Sequence, residues 1–133
     1  MLNRRTLALA ALLSVLGLPL PLAAQEPNEN DFALECRFDR ECREAEPCTA
    51  TGFTLAVDGR GGGMGAGVKL ARVVLYSAAG KVDAFGTLGG DTLFLQGGND
   101  AVRSYLVVTD GAARYTLHMA QGPQVVSYLG TCE

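Results

Sequence analysis

Apolar and polar residues alternate along most of the chain beyond residue 50, and this alternation predicts β-strands. In Phe53–Asp58 an apolar side chain stands at every second position, which is the period of a strand with one buried face. Six further short runs rich in β-branched, aromatic or other apolar residues follow, at 68–77, 82–87, 92–96, 104–109, 114–120 and 124–131. No stretch shows an apolar period of 3.6 residues with helix caps. We therefore expect about seven strands.

Turn residues separate the later runs. The sequences GGD, GGND, TDGA and AQGP supply the glycine, asparagine, aspartate and proline that tight hairpins require. Strands joined by so few residues are antiparallel neighbours, because a parallel crossover needs a dozen residues or more. The pattern predicts an all-β fold, a single small antiparallel meander barrel (or sandwich) of about seven strands.

The first 24 residues have the pattern of a secretory signal. Asn3-Arg4-Arg5 provides a positive start, residues 7–18 are almost wholly apolar, and Ala23-Ala24 provides small residues for cleavage. The alternative is a membrane anchor, for which the apolar stretch is short. We expect a signal peptide at 1–24, a single β domain at 25–133, and a periplasmic or secreted bacterial protein without a membrane anchor.

The charge of the mature chain argues against one class of partner. Removal of Arg4 and Arg5 from 11 basic residues leaves 9 against 14 acidic ones, a net charge of −5. A nucleic-acid-binding domain presents a basic face. We expect no nucleic acid partner.

Three of the four cysteines lie close together, with five residues between successive members of Cys36, Cys42 and Cys48. Zinc sites use cysteines two to four residues apart, and a thioredoxin-like centre needs C-x-x-C. An even cysteine count in a small exported domain favours disulfides instead. Of the three pairings available, we predict Cys36–Cys132 and Cys42–Cys48, a disulfide-stapled domain. The eight charges between Glu35 and Glu46 are expected to form a solvated face around the local loop.

The glycine-rich stretch GRGGGMGAG at 59–67 has two interpretations. It loosely matches a dinucleotide-binding fingerprint, but that motif requires a following helix, and a β-type run follows here. A mobile surface loop is the better interpretation. Arg60 and Met64 in this loop are candidate partner-binding residues.

Residues that could carry catalysis do not form a recognisable set. His118 has an outward strand position with no Cys, Asp or Glu within five residues, which favours a surface histidine over a base or ligand. No nucleophile-elbow pattern surrounds Ser77, Ser104 or Ser127. Five aspartates are assigned to strand ends or turns, where they serve the backbone: Asp58, Asp83, Asp91, Asp100 and Asp110. We expect no catalytic residue, metal site or cofactor.

The aromatic residues of the strands also have two interpretations. Tyr76, Tyr105, Tyr115 and Tyr128 would most simply fill the barrel interior. If the interior is not filled, an apolar ligand cavity would be lined by these tyrosines together with Phe53, Phe85 and Phe94.

The sequence GAARY at 111–115, the later Gly122 and the terminal Cys132 resemble the C-terminal half of the membrane-bound inhibitor of C-type lysozyme family. The resemblance implies a small exported antiparallel β-barrel in which an early cysteine pairs with a late one. Ala113, Arg114 and Tyr115 match the family motif. Gly111 stands where the family has its inhibitory serine, and Gln121 where it has a lysine.

These observations predict a non-enzymatic exported binding module that contacts a protein or envelope component through its loops. Beside Arg60 and Met64, the candidate contact residues are Arg114, Tyr115 and Gln121. The alternative is a carrier of a small apolar ligand within the barrel. A hydrolase that uses turn carboxylates is a third hypothesis.

Overall fold

The computed structural model describes residues 28–133, and nine β-strands make up most of this part of the chain. The strands are β1 (Asp31–Arg43), β2 (Thr49–Ala50), β3 (Thr54–Gly65), β4 (Val68–Ser77), β5 (Gly80–Gly89), β6 (Thr92–Gly98), β7 (Val102–Thr109), β8 (Ala112–Met119) and β9 (Gln124–Cys132). The predicted signal peptide, residues 1–24, and the first residues of the predicted domain lie outside the described residues. No helix long and apolar enough to cross a membrane occurs within 28–133.

The strands form a closed antiparallel barrel. From β3 to β9 each strand pairs with the next, and β1 closes the circle by pairing with β3 on one side and β9 on the other. The short β2 pairs with β1 at Arg40 and Glu41 and is an addition to the eight-stranded barrel. The predicted all-β meander is confirmed as a barrel, with all seven predicted runs present as β3 to β9.

The eighth barrel strand, β1, was not among the strands predicted from sequence. Residues 31–43 form the longest strand, and only the short connection that follows is an exposed loop. Phe32, Leu34, Cys36 and Phe38 face the interior while charged residues occupy most positions between them. The charges expected to form a solvated face around the local loop lie largely on the outward-facing half of this strand.

The glycine-rich segment is also a strand, and the prediction of a mobile loop is wrong. β3 extends to Gly65, and Ala66 and Gly67, both with positive φ, make the turn into β4. Gly59 faces the interior, where a Cβ atom would lie 2.5 Å from Cζ of Phe32. Glycine is therefore needed here because the Phe32 ring occupies the space of a side chain.

Both predicted disulfides are present. Cys36 and Cys132 stand opposite each other on β1 and β9, so their bridge spans the strand pair that closes the barrel. Cys42–Cys48 closes a loop of only a few residues between β1 and β2. Disulfides of this kind persist in oxidising compartments, which fits an extracellular or periplasmic location.

Side chains fill the barrel interior. Leu95 and Leu106 are fully buried at its centre. Where β1 meets β9, four aromatic rings pack together, with centroids 4.5 Å apart for Phe53 and Tyr128 and 5.7 Å for Phe38 and Phe53. Tyr115, 4% exposed, joins this cluster. Tyr115 and Tyr128 thus fill the barrel as predicted, whereas the prediction is wrong for Tyr76 and Tyr105, which lie at outward positions of β4 and β7.

The two interior tyrosines make the free energy of unfolding fall at alkaline pH. Burial raises the pKa of Tyr115. Burial, and then the Glu41 carboxylate, raise the pKa of Tyr128. Because the folded chain holds these protons more tightly, the stability that they contribute is present below pH about 10, the pKa of an unfolded tyrosine. The contribution is lost as the pH rises through the folded-state pKa values.

We expect Tyr115→Phe to reduce the fall in unfolding free energy that wild type shows above pH about 10. Urea unfolding followed by circular dichroism between pH 8 and 11 measures this dependence. Tyr76→Phe, which removes an exposed phenol, is the matched control. If the free energy of unfolding of Tyr115→Phe falls as steeply with rising pH as that of wild type, the raised pKa assigned to Tyr115 is contradicted.

Candidate functional site

Large apolar side chains lie on the outside of the barrel, on neighbouring strands. Phe85 on β5 is 59% exposed and Leu70 on β4 is 50% exposed, and Tyr76 and Phe94 are also exposed. The interpretation of Tyr76, Phe85 and Phe94 as lining for an interior cavity is therefore wrong. The strands direct these side chains to solvent, because successive residues of a strand point to opposite faces and the inward positions hold smaller aliphatic residues.

Strand register places one set of outward-facing residues side by side across five strands. Arg60 lies opposite Arg72, Arg72 opposite Phe85, Phe85 opposite Gln96, and Gln96 opposite Tyr105. We call these five residues the outer row. Neighbouring strands are about 4.8 Å apart, so the row runs for roughly 19 Å around the barrel.

Two hollows adjoin this row, and Phe85 lines both. The larger, of about 900 Å³, lies over β3, β4 and β5, and Leu70, Arg72 and Val74 contribute to its lining. The smaller, of about 350 Å³, lies on the other side of Phe85 beside Gln96 and Tyr105. The Phe85 ring is thus accessible from two adjoining concave surfaces.

The polar side chains of the outer row differ in whether they have hydrogen-bond partners. Nε of Arg60 donates a hydrogen bond of 2.7 Å to Oδ1 of Asp31. This bond, with another from the Asn28 backbone, holds the pKa of Asp31 below its usual value. Within residues 28–133 the side chains of Arg72 and Gln96 make no hydrogen bond or ion pair. Their donors and acceptors remain available to a ligand.

Charge is distributed unevenly over the barrel. The strands β4 to β8 carry five basic residues and one acidic residue, although the whole chain has a net charge of −3. These residues are Lys69, Arg72, Lys81, Arg103 and Arg114 against Asp83. The acidic excess of the chain lies in β1 and in the turns, whereas the lining of the larger hollow combines Asp31, Asp58 and Asp83 with Arg60 and Arg72.

The candidate contact residues predicted from sequence do not come together. Arg60 belongs to the outer row, whereas Arg114 is exposed on β8 and lines neither hollow. Tyr115 is buried in the core, and Gln121 lies in the exposed turn before β9. The side chain of Met64 lies outside the described part of the structure.

The other polar candidates have ordinary surroundings. His118 is exposed and its ring meets Tyr105 edge-on at 5.3 Å between centroids. Ser104 is buried, and its Oγ has no hydrogen-bond partner among the described residues. No cluster of three or more potential metal ligands is found in the described part of the chain.

Two aspartates stand elsewhere than predicted. Asp58 and Asp83 lie within β3 and β5 rather than at strand ends, on either side of Val74 in the strand register. Both line the larger hollow. They add hydrogen-bond acceptors to the hollow that Arg72 also lines.

Sequence analysis missed Arg72 and Gln96 as candidate site residues and considered Phe85 only as lining of an interior cavity. The signal was the phase of the alternation, because charged or amide side chains in the middle of these strands mark the outward positions. Arg72, Asp83 and Gln96 each mark such positions, and they place Leu70, Phe85 and Phe94 outside as well.

A comparison of the chain with protein-family models, curated proteins and solved structures finds no match.

Proposed function

We propose that the protein is an exported, non-enzymatic binding module that holds an envelope component against the outer row. The observation that carries this proposal is the exposed Phe85 ring between two adjoining hollows. A large exposed apolar group within a contiguous patch is characteristic of an interaction site. The pattern of residues 1–24 and the two disulfides support export to a bacterial periplasm or beyond.

The contact surface in this proposal is the barrel wall rather than the loops. Most connections between strands are tight turns, as at Ala66–Gly67 and Asp110–Gly111, where positive φ angles fit short hairpins. Such turns offer little surface, whereas the wall offers concave, partly apolar surface with unpaired polar groups. The filled interior and the outward Phe85 and Phe94 favour wall binding over the carriage of an apolar ligand inside the barrel.

Retention by the envelope tests this proposal. We expect tagged wild-type protein, expressed in its native cell, to remain with the washed envelope fraction, and Phe85→Ser to move several-fold toward the soluble fraction. Phe94→Ser is the matched control, since Phe94 also faces outward but lines neither hollow. Equal retention of wild type and Phe85→Ser would contradict wall binding. A small molecule released from the purified protein on denaturation would support the carrier instead.

Inhibition of C-type lysozyme is expected to be weak. The resemblance places Gly111 and Gln121 at the inhibitory serine and lysine, and Gly111, with φ of 77°, occupies a tight turn between β7 and β8. Neither residue supplies the hydroxyl or the ammonium group that the family uses. We expect little inhibition at micromolar concentration in a turbidity assay with bacterial cell walls. Potent inhibition would overturn this and would point to a different inhibitory element.

A further inference from the structure

We propose that two copies of this chain pair through the outer faces of β4 and β5 and so cover the outer row when no envelope component is bound. The inference goes beyond the proposed function, because it gives the same wall a second occupant. It starts from four outward-facing residues that stand in register on these two strands. Arg72 lies opposite Phe85, and Val74 lies opposite Asp83.

These four residues form the corners of a rectangle on the barrel wall. Neighbouring strands are about 4.8 Å apart, and successive outward positions on one strand are about 6.8 Å apart. The charged residues Arg72 and Asp83 occupy one diagonal of the rectangle. The apolar residues Phe85 and Val74 occupy the other. The two sides of the apolar diagonal therefore carry opposite charges at equivalent positions.

A two-fold symmetric dimer matches this arrangement. In such a dimer both copies use the same patch, so the patch must be complementary to itself. When the two-fold axis runs along the apolar diagonal, Arg72 of each copy faces the partner's Asp83. Phe85 and Val74 lie on the axis, and each faces its own counterpart. The contact then contains two guanidinium–carboxylate pairs, each of which can form two parallel hydrogen bonds.

Both charged residues are available for such a contact. Among the described residues neither Arg72 nor Asp83 makes an ion pair or a side-chain hydrogen bond. Arg60, the other basic residue of the larger hollow, is already bonded to Asp31. A purely acidic partner would leave Asp83 unpaired and a purely basic partner would leave Arg72 unpaired, whereas a second copy pairs both.

The apolar surface lies on the same wall as the rectangle. All the large hydrophobic side chains that are exposed within the described part of the chain belong to β4, β5 or β6: Leu70, Tyr76, Phe85 and Phe94. A contiguous exposed apolar patch is typical of a protein interface. A second copy placed on β4 and β5 removes part of this surface from water.

The dimer is expected to be weak. Three outward positions on each of the strands β3 to β6 span roughly 14 by 14 Å, much less than the about 800 Å² that each partner buries in a typical stable complex. Asp58 stands beside Val74 on β3, close to the two-fold axis, so its carboxylate opposes that of its counterpart. A weak dimer exchanges with the monomer, and an envelope component can therefore displace the second copy.

Reversed charges test the inference in sedimentation velocity of the full, disulfide-bonded protein. We expect wild type to be partly dimeric at about 100 μM, as suits a small interface. Arg72→Asp and Asp83→Arg should each weaken dimerisation at least about tenfold, because each sets two pairs of like charges against each other. An equimolar mixture of these two variants should form a heterodimer, because both pairs between the copies then have opposite charges.

Arg114→Asp is the matched control, since it makes the same change on β8, outside the proposed contact. Its dimerisation should stay within about twofold of wild type, because salt screens a distant surface charge. Three results would overturn the inference: monomeric wild type at about 100 μM, no heterodimer in the mixture of variants shown to be folded by circular dichroism, or an equal loss for Arg114→Asp.

Failure of the dimer and failure of the proposed function are distinguishable. Wild-type protein that is monomeric at every concentration, yet remains with the washed envelope, would leave the wall to the envelope component alone. A dimer that forms as expected, together with equal envelope retention of wild type and Phe85→Ser, would support the second copy and refute envelope binding at the outer row.

Discussion

Loss of the Cys36–Cys132 disulfide is expected to lower the free energy of unfolding by about 2–5 kcal/mol. The bridge joins residues 96 positions apart, so it restricts almost the whole described chain in the unfolded state. In the folded state it ties together the two strands that close the barrel. The experiment is urea denaturation of Cys132→Ser, with Cys36 also changed to serine so that no free thiol exchanges with the second bridge.

The local disulfide provides the comparison. Cys42 and Cys48 are six positions apart, and a short loop loses little conformational freedom when it is closed. We expect Cys42→Ser/Cys48→Ser to cost less than the long-range pair. An equal or larger loss for the local pair, or free thiols in the native protein, would contradict the role assigned to the long bridge.

Leu106→Ala is expected to destabilise the barrel by about 2–5 kcal/mol, the range measured when a large aliphatic side chain is removed from a packed core. Leu106 is 0% exposed and lies in the interior beside Leu95, its neighbour across the strand pair. The closed sheet limits collapse around the missing atoms, so a cavity remains.

Leu70→Ala is the matched control because the same side chain is 50% exposed on the outer face. Its cost should stay within about 0.5 kcal/mol, as for most surface substitutions. Chemical denaturation of the two variants side by side measures the difference. Similar losses for Leu70→Ala and Leu106→Ala would mean that the assignment of inner and outer faces is wrong.

Most of the barrel could be predicted because its strands follow the period of two. The runs that became β3 to β9 have aliphatic residues at inward positions and turn residues between them, so strand order and direction followed from short connections alone. The disulfide pairing was also predictable, because a long-range bridge between the first and last strands suits a small exported domain.

β1 was missed although it has the same alternation. Phe32, Leu34, Cys36 and Phe38 stand at every second position, but charged residues between them gave the segment the composition of a solvated loop. A barrel strand tolerates those charges because its outward half is in water. In such a segment the period of the apolar residues is therefore a better guide to a β-strand than the composition is.

The binding surface was harder to predict than the strands. The phase of Arg72, Asp83 and Gln96 indicates which aromatic residues face outward, but the alternation alone does not give the curvature of the wall. The two hollows beside Phe85 depend on how β3 to β7 bend and twist together. That curvature is a property of the assembled sheet rather than of any one strand.

Site-specific photo-crosslinking in the native cell tests most directly whether the outer row is the binding surface. A photoreactive phenylalanine analogue at position 85 keeps an aromatic ring between the two hollows, and the same analogue at Asp39 probes the exposed side of β1. We predict a covalent adduct with envelope material from position 85 and none from position 39. Adducts of equal yield from both positions, or none from position 85, would contradict binding at the outer row.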